Sequence, residues 1–467
     1  MDPLESVGDG LSIEGRGRIL QSFFEVVMVP RFIQRAGGSA RRHPWLVAGL
    51  AVCFIGIVVG GSYLWGAHQF RAAERALNEE KLDEAREHIA SCLRIWYQAP
   101  TAYLLAARIE RVGGNYPLAE RYLSQCIRLQ RGASEQTQLE QILLRAQSGE
   151  FAEVEKGLWE CVNTNHPDSP RILETLTRVY VSEARFGGAV TCLTIWLERE
   201  PTAVRAWHWR GWAYENLMQL DKAISDYEKT LELDPERWGA RTHLTRLLLQ
   251  MNDVESARLQ LDQLLTRHRD DPDVQLLEAQ TLRLEGKTDE AAHILDRILE
   301  AHPRHFAALY FYSKMICEQE SPQYDRAERL LRRALAINPT DYSTLHALYK
   351  CLENQGKEQE TNEIRRLLDR VQSDLSRLDQ LRFKGAEPTP NDPQLLCEMG
   401  VLLMRVGSME AGLIWLNRAL QSDPNHVQTH EALLRHYESI DRKAEAELHR
   451  QHLARLSRAS SPSPHQK

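Results

Sequence analysis

Beyond its first sixty-odd residues the chain is written in paired apolar stripes. Segments of about a dozen residues carry apolar side chains at helical spacing, two segments per unit, parted by a short polar turn, and the unit recurs about every 34 residues. The clearest copy begins "VRAWHWRGWAYENLMQLDKAISDYEKTLELDP". With Val204 as position 1, Trp207 is position 4, Gly211 is 8, Tyr214 is 11, Ala223 is 20, Tyr227 is 24 and Pro235 is 32. One unit earlier, Leu173, Thr177, Tyr180, Ala189, Leu193 and Pro201 stand at those positions, and further on Gln275, Ala279, Leu282, Ala291, Leu295 and Pro303 do. Near the end the same places hold Leu396, Gly400, Leu403, Gly412, Leu416 and Pro424. Weaker copies centre on Ala85, Ala119, Val154, Ala257 and Ala327, with degenerate ones at 341–370 and 426–454.

The spacing resembles the tetratricopeptide repeat family, whose 34-residue pattern runs W-x2-L-G-x2-Y, then A-x3-F, then P. Arg210 stands where that pattern expects Leu, and Thr230 where it expects Ala. The resemblance implies an all-α fold, a right-handed superhelix of helix-turn-helix units with a concave inner surface. The physics of the residues points the same way. A lone helix pair cannot bury its apolar face, so units must stack. Small residues at positions 8 and 20 let the paired helices approach, and turns such as "MQLD", "RLEGKTD" and "ENQGKE" hold the residues that stop helices. The proline at position 32 ends the second helix, because its ring cannot continue the hydrogen-bonded turn. Trp207 is expected in the core between the two helices of its unit, Trp209 against the neighbouring unit, and Trp212 toward the groove.

One stretch breaks this scheme. From Trp45 to Trp65, "WLVAGLAVCFIGIVVGGSYLW" carries no charge over 21 residues, which as a helix spans roughly 30 Å, a bilayer's hydrocarbon thickness. Tryptophan and tyrosine at its ends suit the headgroup boundary. A signal peptide would be shorter and end at a small-residue cleavage site, so a retained single transmembrane helix is expected. Arg31, Arg35, Arg41 and Arg42 precede it, against Arg71, Arg75 and Lys81 after it. That balance leans toward a cytoplasmic N-terminus and an extracytoplasmic repeat array; the free thiols lean the other way. The expected plan is a juxtamembrane segment 1–44, transmembrane helix 45–65, main array with an extra helix 66–383, linker 384–392, last unit and cap 393–455, and a disordered tail 456–467. Arg18–Arg35 mixes large apolar residues with arginine, as an amphipathic surface helix would.

Composition narrows the function. The net charge of −7 and the want of basic runs with aromatics argue against nucleic acid. The repeats leave no room for a catalytic domain, and no phosphate-binding loop, nucleophile elbow, metalloprotease or calcium motif is present. No cofactor, metal or small-molecule substrate is expected, and no enzyme. Cys92, Cys126 and Cys161 all occupy position 27, where a small packing residue belongs; equivalent positions in stacked units stand about 10 Å apart, too far for a disulfide. His449 and His452 share a helix face, but no third metal ligand is evident.

By family analogy, positions 2, 5, 9 and 12 of each first helix face the groove. In the central units these are Arg171, Glu174, Arg178 and Val181; Arg205, His208, Trp212 and Glu215; Gly239, Thr242, Arg246 and Leu249; and Asp273, Leu276, Gln280 and Arg283. Arginines outnumber acids there although the chain is acidic. Arg178, Arg205, His208, Trp212, Arg246 and Arg283 are therefore the candidate groove residues, fitted to an extended protein segment bearing acids or a free C-terminus, with Trp212 as its apolar anchor. The resemblance implies a non-catalytic interaction scaffold, which the expected span would tether to a membrane; the alternative is a non-catalytic subunit of an envelope enzyme or of a secretion or polysaccharide complex. His208 and Trp212 stand where chaperone-tail-binding members carry Lys and Asn, so that ligand is not expected here.

Overall fold

In a computed structural model the backbone is described for residues 44–319, 321–384 and 392–460. The segment Arg18–Arg35, the residues between Lys384 and Asp392, and the tail from 461 lie outside the described residues. Among the described residues there are 22 helices and no strand. They follow one another as hairpins: α1 (Pro44–Asn78) with α2 (Leu82–Ile95), α3 (Pro100–Val112) with α4 (Tyr116–Gln130), and α5 (Glu135–Gln147) with α6 (Phe151–Asn163). Then come α7 (Ser169–Ser182) and α8 (Phe186–Arg199), α9 (Val204–Asn216) and α10 (Leu220–Leu233), α11 (Trp238–Gln250) and α12 (Val254–Arg267). The series continues with α13 (Pro272–Leu284) and α14 (Thr288–Ala301), α15 (Phe306–Cys317) and α16 (Tyr324–Leu335), α17 (Tyr342–Asn354) and α18 (Glu358–Lys384). It closes with α19 (Pro393–Arg405) and α20 (Met409–Ser422), α21 (Val427–Ser439) and α22 (Lys443–Ser460).

The reason for the hairpins is local. Most first helices stop where one residue turns left-handed: Gly114, Gly286, Gly356 and Gly407 do so, and so do Ala184, Met218 and Asn252. The amide of the next residue then reaches back to the helix, as when Gln219 N–H donates to the Tyr214 carbonyl and Lys287 N–H to that of Leu282. At the other end, Asp253, Asp271, Asp341 and Asp392 cap the helices they precede by accepting backbone N–H bonds.

Contacts divide the chain into two compact units, residues 1–141 and 142–467. In the first, Ala73, Ala76, Ile89, Cys92, Leu105 and Ile109 form the core. Helix α1 is thus at once the expected span and the first helix of the first repeat, with no break at Gly66. Among the described residues no helix is long and apolar enough to cross a membrane; the side chains of residues 44–52, 54, 55 and 58, which make up much of the apolar run, lie outside the description.

In the second unit the core runs from hairpin to hairpin. Ala223, Tyr227, Leu244, Leu261 and Leu277 belong to one cluster, and Leu295, Tyr312, Leu331 and Leu348 to the next. Position 8 meets position 20 as the pattern requires: a Cβ on Gly211 would stand 3.0 Å from the Tyr227 ring and 3.3 Å from the Ala223 carbonyl oxygen. Of the three cysteines at position 27, Cys92 and Cys126 are wholly buried, as packing residues are, while Cys161 is only half-buried.

Three expectations need revision. The degenerate unit and the separate extra helix are one 27-residue helix, α18, because no glycine or proline falls between Glu358 and Lys384 to stop it; its Leu378 and Leu381 pack into the cluster of α19, α20 and α21. The last helix reaches Ser460, five residues past the expected boundary at 455. Trp207 is not a core residue. It is half-buried, its Nε1–H donates to the Pro201 carbonyl at 2.8 Å, and the Arg210 guanidinium covers its ring at 4.7 Å. Arg210 accounts for this. In place of the expected Leu it forms a two-pronged pair with the buried Asp226, at 2.7 and 2.9 Å, so a charged pair fills the space that the tryptophan was expected to take.

Contacts in a solenoid normally link neighbours only, yet Arg418 on α20 donates to Glu183 at 2.6 Å, both nearly buried, and Gln421 reaches the Ser148 carbonyl at 3.4 Å. The second unit therefore turns back on itself, its last full repeat meeting the inter-helix turns of its first ones.

Candidate functional site

The predicted stripe resolves into separate clusters. The first lies between α7 and α9. Glu174 accepts from Arg178, one helical turn on, at 3.2 Å, and from Arg205 of the next repeat at 2.9 Å. Both guanidinium groups sit over the half-buried Trp209 ring, at 4.8 and 5.8 Å from its centroid. Trp209 faces the neighbouring repeat, as its position predicted. Arg205 also lies 5.5 Å from the Trp196 ring. Two cations share one carboxylate on an aromatic floor, an arrangement with one positive charge in excess.

The second cluster centres on Glu215. It accepts from Tyr227 Oη at 2.9 Å, lies 2.9 Å from His243 Nδ1, and accepts from Arg246 at 3.1 Å. Burial pushes the Glu215 carboxyl up, but hydrogen bonds from His243 and Tyr227 and the Arg246 charge outweigh it, so its pKa falls below the ordinary range. His208 stands beside this group, 5.9 Å from the Tyr227 ring and 6.0 Å from that of His243. Its Nδ1 accepts from Arg237 Nε at 3.1 Å, which fixes the neutral tautomer. Burial, then the Arg237 charge, pulls its pKa down to about 3. His208 is therefore an uncharged acceptor, not a cation of the groove.

The other two candidates stand apart. Trp212 is half-buried edge-on against Phe186, ring centroids 5.5 Å apart, and packs on the Tyr227–Leu244 core. Arg283 bonds Glu318 at 3.0 Å and lies 5.6 Å from the Phe311 ring, at the edge of a 240 Å3 cavity lined by Phe306, Tyr310, Phe311, Lys314 and Met315.

The structure thus places an acid beside each predicted arginine: Glu174 for Arg178 and Arg205, Glu215 for Arg246, Glu318 for Arg283. Glu174 and Glu215 were visible on the stripe as acids but not as hubs, since the repeat-to-repeat offset that brings position 2 onto the previous position 5 is a property of stacking. Trp209 as a platform and the Phe306–Met315 cavity were missed. The second had a signal, the aromatic run "FAALYFY". In the cap, His430 joins the two histidines noted from sequence, its Nδ1 2.9 Å from His449 Nδ1 and its ring stacked on His452 at 4.9 Å. Among the described residues no such group could hold a metal ion.

Two family models, each described as tetratricopeptide repeat, match: one over residues 219–281 and 282–350, the other over 176–237. No curated protein matches in sequence. The fold is similar to a tetratricopeptide repeat protein from Parabacteroides merdae, 15% identical, over 62% of this chain and 99% of that one with a TM-score of 0.36. It is also similar to PilW, a type IV pilus biogenesis factor, 18% identical, over 42% and 90% with a TM-score of 0.37. A third, YrrB, described as having an unusual peptide-binding site, is 21% identical over 41% and 96% with a TM-score of 0.32. Residues 176–350 of this chain are tetratricopeptide repeats.

Proposed function

We propose that this protein is a membrane-tethered, non-catalytic scaffold that holds extended protein segments in the groove of its repeats. Repeats of this family typically mediate protein–protein interactions, and the finer reading rests on the Arg178–Glu174–Arg205 group. Two guanidinium groups with one carboxylate between them, laid on Trp209, suit a ligand that brings a second carboxylate and an apolar side chain. An acidic residue or a free C-terminus supplies the first; the cavity beside Arg283 suits the second. Tethering through Trp45–Trp65 is supported by what the described part of that run does: Ile57, Val59 and Leu64 are 61–71% exposed and so bury nothing within the protein. We place the N-terminus in the cytoplasm and the array outside it.

The test is anisotropy of a labelled peptide ending in acidic residues and a free carboxylate, added to the full-length chain in nanodiscs. The native peptide should bind about tenfold tighter than its amidated, asparagine-substituted version. The double variant R178A/R205A should erase that difference; an undiminished preference in the variant would retire the groove reading. Protease digestion of the array in intact cells checks its side of the bilayer.

A further inference from the structure

We infer that the turn joining α2 to α3, Trp96–Ala99, is a second membrane contact that sets Trp96 and Tyr97 in the phospholipid headgroup layer. This rests on the tethering reading above and adds to it that the first repeat lies on the bilayer instead of hanging from a flexible stem.

Helices α1 and α2 are antiparallel, and three contacts give their register. At the tight end Lys81 N–H donates to the Ala76 carbonyl; midway His88 Nδ1 lies 2.7 Å from Gln69 Oε1; at the far end the Trp96 and Tyr63 rings are 5.1 Å apart. The end of α2 therefore comes down to the level where the apolar run stops. Gly66 makes the fit possible: its Cβ, if it had one, would stand 2.6 Å from Trp96 Nε1, so the indole lies directly on the α1 backbone. Around that indole the surface is amphipathic and aromatic, with Trp65 46% and Tyr97 50% exposed. Half-exposed tryptophan and tyrosine at the end of an apolar helix are the side chains that prefer the membrane–water boundary.

Charge agrees with this placement. No acid occurs from His88 to Ile109, while the exposed Arg94 precedes the turn and Arg71 stands on α1 nearby. The first acid on α1 after Trp65 is Glu74, nine residues on, about 13 Å along the helix. Acids are thus kept out of the layer where anionic headgroups would repel them, and arginine is kept in it. The opposite turns, Glu79–Lys81 and Gly113–Asn115, stand about 20 Å farther out, the length of a 14-residue helix.

The experiment reconstitutes the full-length chain in phosphatidylcholine–phosphatidylglycerol nanodiscs doped with a phospholipid carrying a diazirine in its headgroup. After irradiation, adducts are mapped on tryptic peptides. Ile95–Arg108 should carry at least tenfold more adduct than Val112–Arg121, which bears the outer turn. Tyr97→Glu should cut labelling of Ile95–Arg108 severalfold and leave His43–Arg71, which holds the apolar run, unchanged. Labelling of His43–Arg71 with Ile95–Arg108 at background overturns this inference and leaves the tether standing. Labelling of neither overturns the tether and, with it, this inference.

Discussion

Two repeats of one template, 204–235 and 393–424, fill the same positions in opposite ways. At positions 7 and 23 the first has Arg210 and Asp226, a buried ion pair; the second has Met399 packed toward a buried Trp415. At position 24 the first buries Tyr227 and the second Leu416, and at position 27 Thr230 answers to Ala419. What the two share is the close crossing of positions 8 and 20. The difference teaches that the template constrains backbone approach more than core chemistry. A repeat stands equally on an ion pair or on a methionine and an indole, provided the two helices can close.

The largest effect should come from breaking that ion pair. Asp226→Ala leaves the Arg210 guanidinium largely buried without its carboxylate, and uncompensated buried charge costs about 3–5 kcal/mol. Replacing both, Arg210→Met with Asp226→Ala, imitates the apolar solution of the later repeat and should recover most of the loss. Urea denaturation of the single and double variants checks this. A double variant as unstable as the single would mean that the two repeats are not interchangeable solutions.

The crossing itself comes next, and here the later repeat is the tighter. A Cβ on Gly412 would stand 2.4 Å from Met404 Cγ and 2.7 Å from the Gly400 carbonyl oxygen, which is backbone and cannot rotate away. On Gly211 the nearest atoms are the Tyr227 ring at 3.0 Å and the Ala223 carbonyl oxygen at 3.3 Å. Gly412→Ala should therefore cost about 2–3 kcal/mol, and Gly211→Ala about 1 kcal/mol, in the thermal unfolding of each variant. Equal costs would show that the later crossing is no tighter than the earlier one.

The same comparison marks what could be read from residues alone. The hairpins, their turns and the small residues at positions 8 and 20 were legible because backbone sterics act within one unit, at fixed sequence distance. The Arg210–Asp226 pair was half legible: the departure from Leu was plain, but its partner lies sixteen residues on, and only the fold says that it points back. The groove cluster was legible as a list of residues and not as pairs, since Glu174 with Arg205 is a contact between repeats. Arg418 with Glu183 had no signal at all, because it depends on how far the stack turns over 235 residues.

Titration separates the two repeats again. Position 5 is His208 in the first and Cys397 in the second. Burial holds His208 neutral, with a folded pKa of about 3 against 6.5 when unfolded, so protons bind the unfolded chain preferentially as pH falls from 6.5. The stability it allows is present above pH 6.5 and is lost on acidification, by about 1 kcal/mol between pH 6.5 and 5.5. His436 and His449, also held low by burial, add to the same slope, so the reading is the difference between wild type and His208→Gln. The variant should be flatter by that amount; parallel curves would show that His208 takes up its proton without leaving its pocket.

The smallest effect lies in the turns. The first repeat passes through the left-handed region at Met218, φ 58°, with its side chain in solvent, while the second uses Gly407, φ 89°. A non-glycine residue there crowds Cβ against its own carbonyl at a cost of about 1–2 kcal/mol, and glycine regains that less about 0.5–1 kcal/mol of chain entropy. Met218→Gly should therefore stabilise by about 0.5 kcal/mol, and because Met218 touches no core cluster, nothing else should change. Gly407→Ala should lose stability for two reasons: the same strain, and a Cβ that would stand 2.9 Å from Asn338 Oδ1. Opposite signs for the two substitutions would show that the turn, like the crossing, is a backbone constraint that the template imposes and individual repeats meet unevenly.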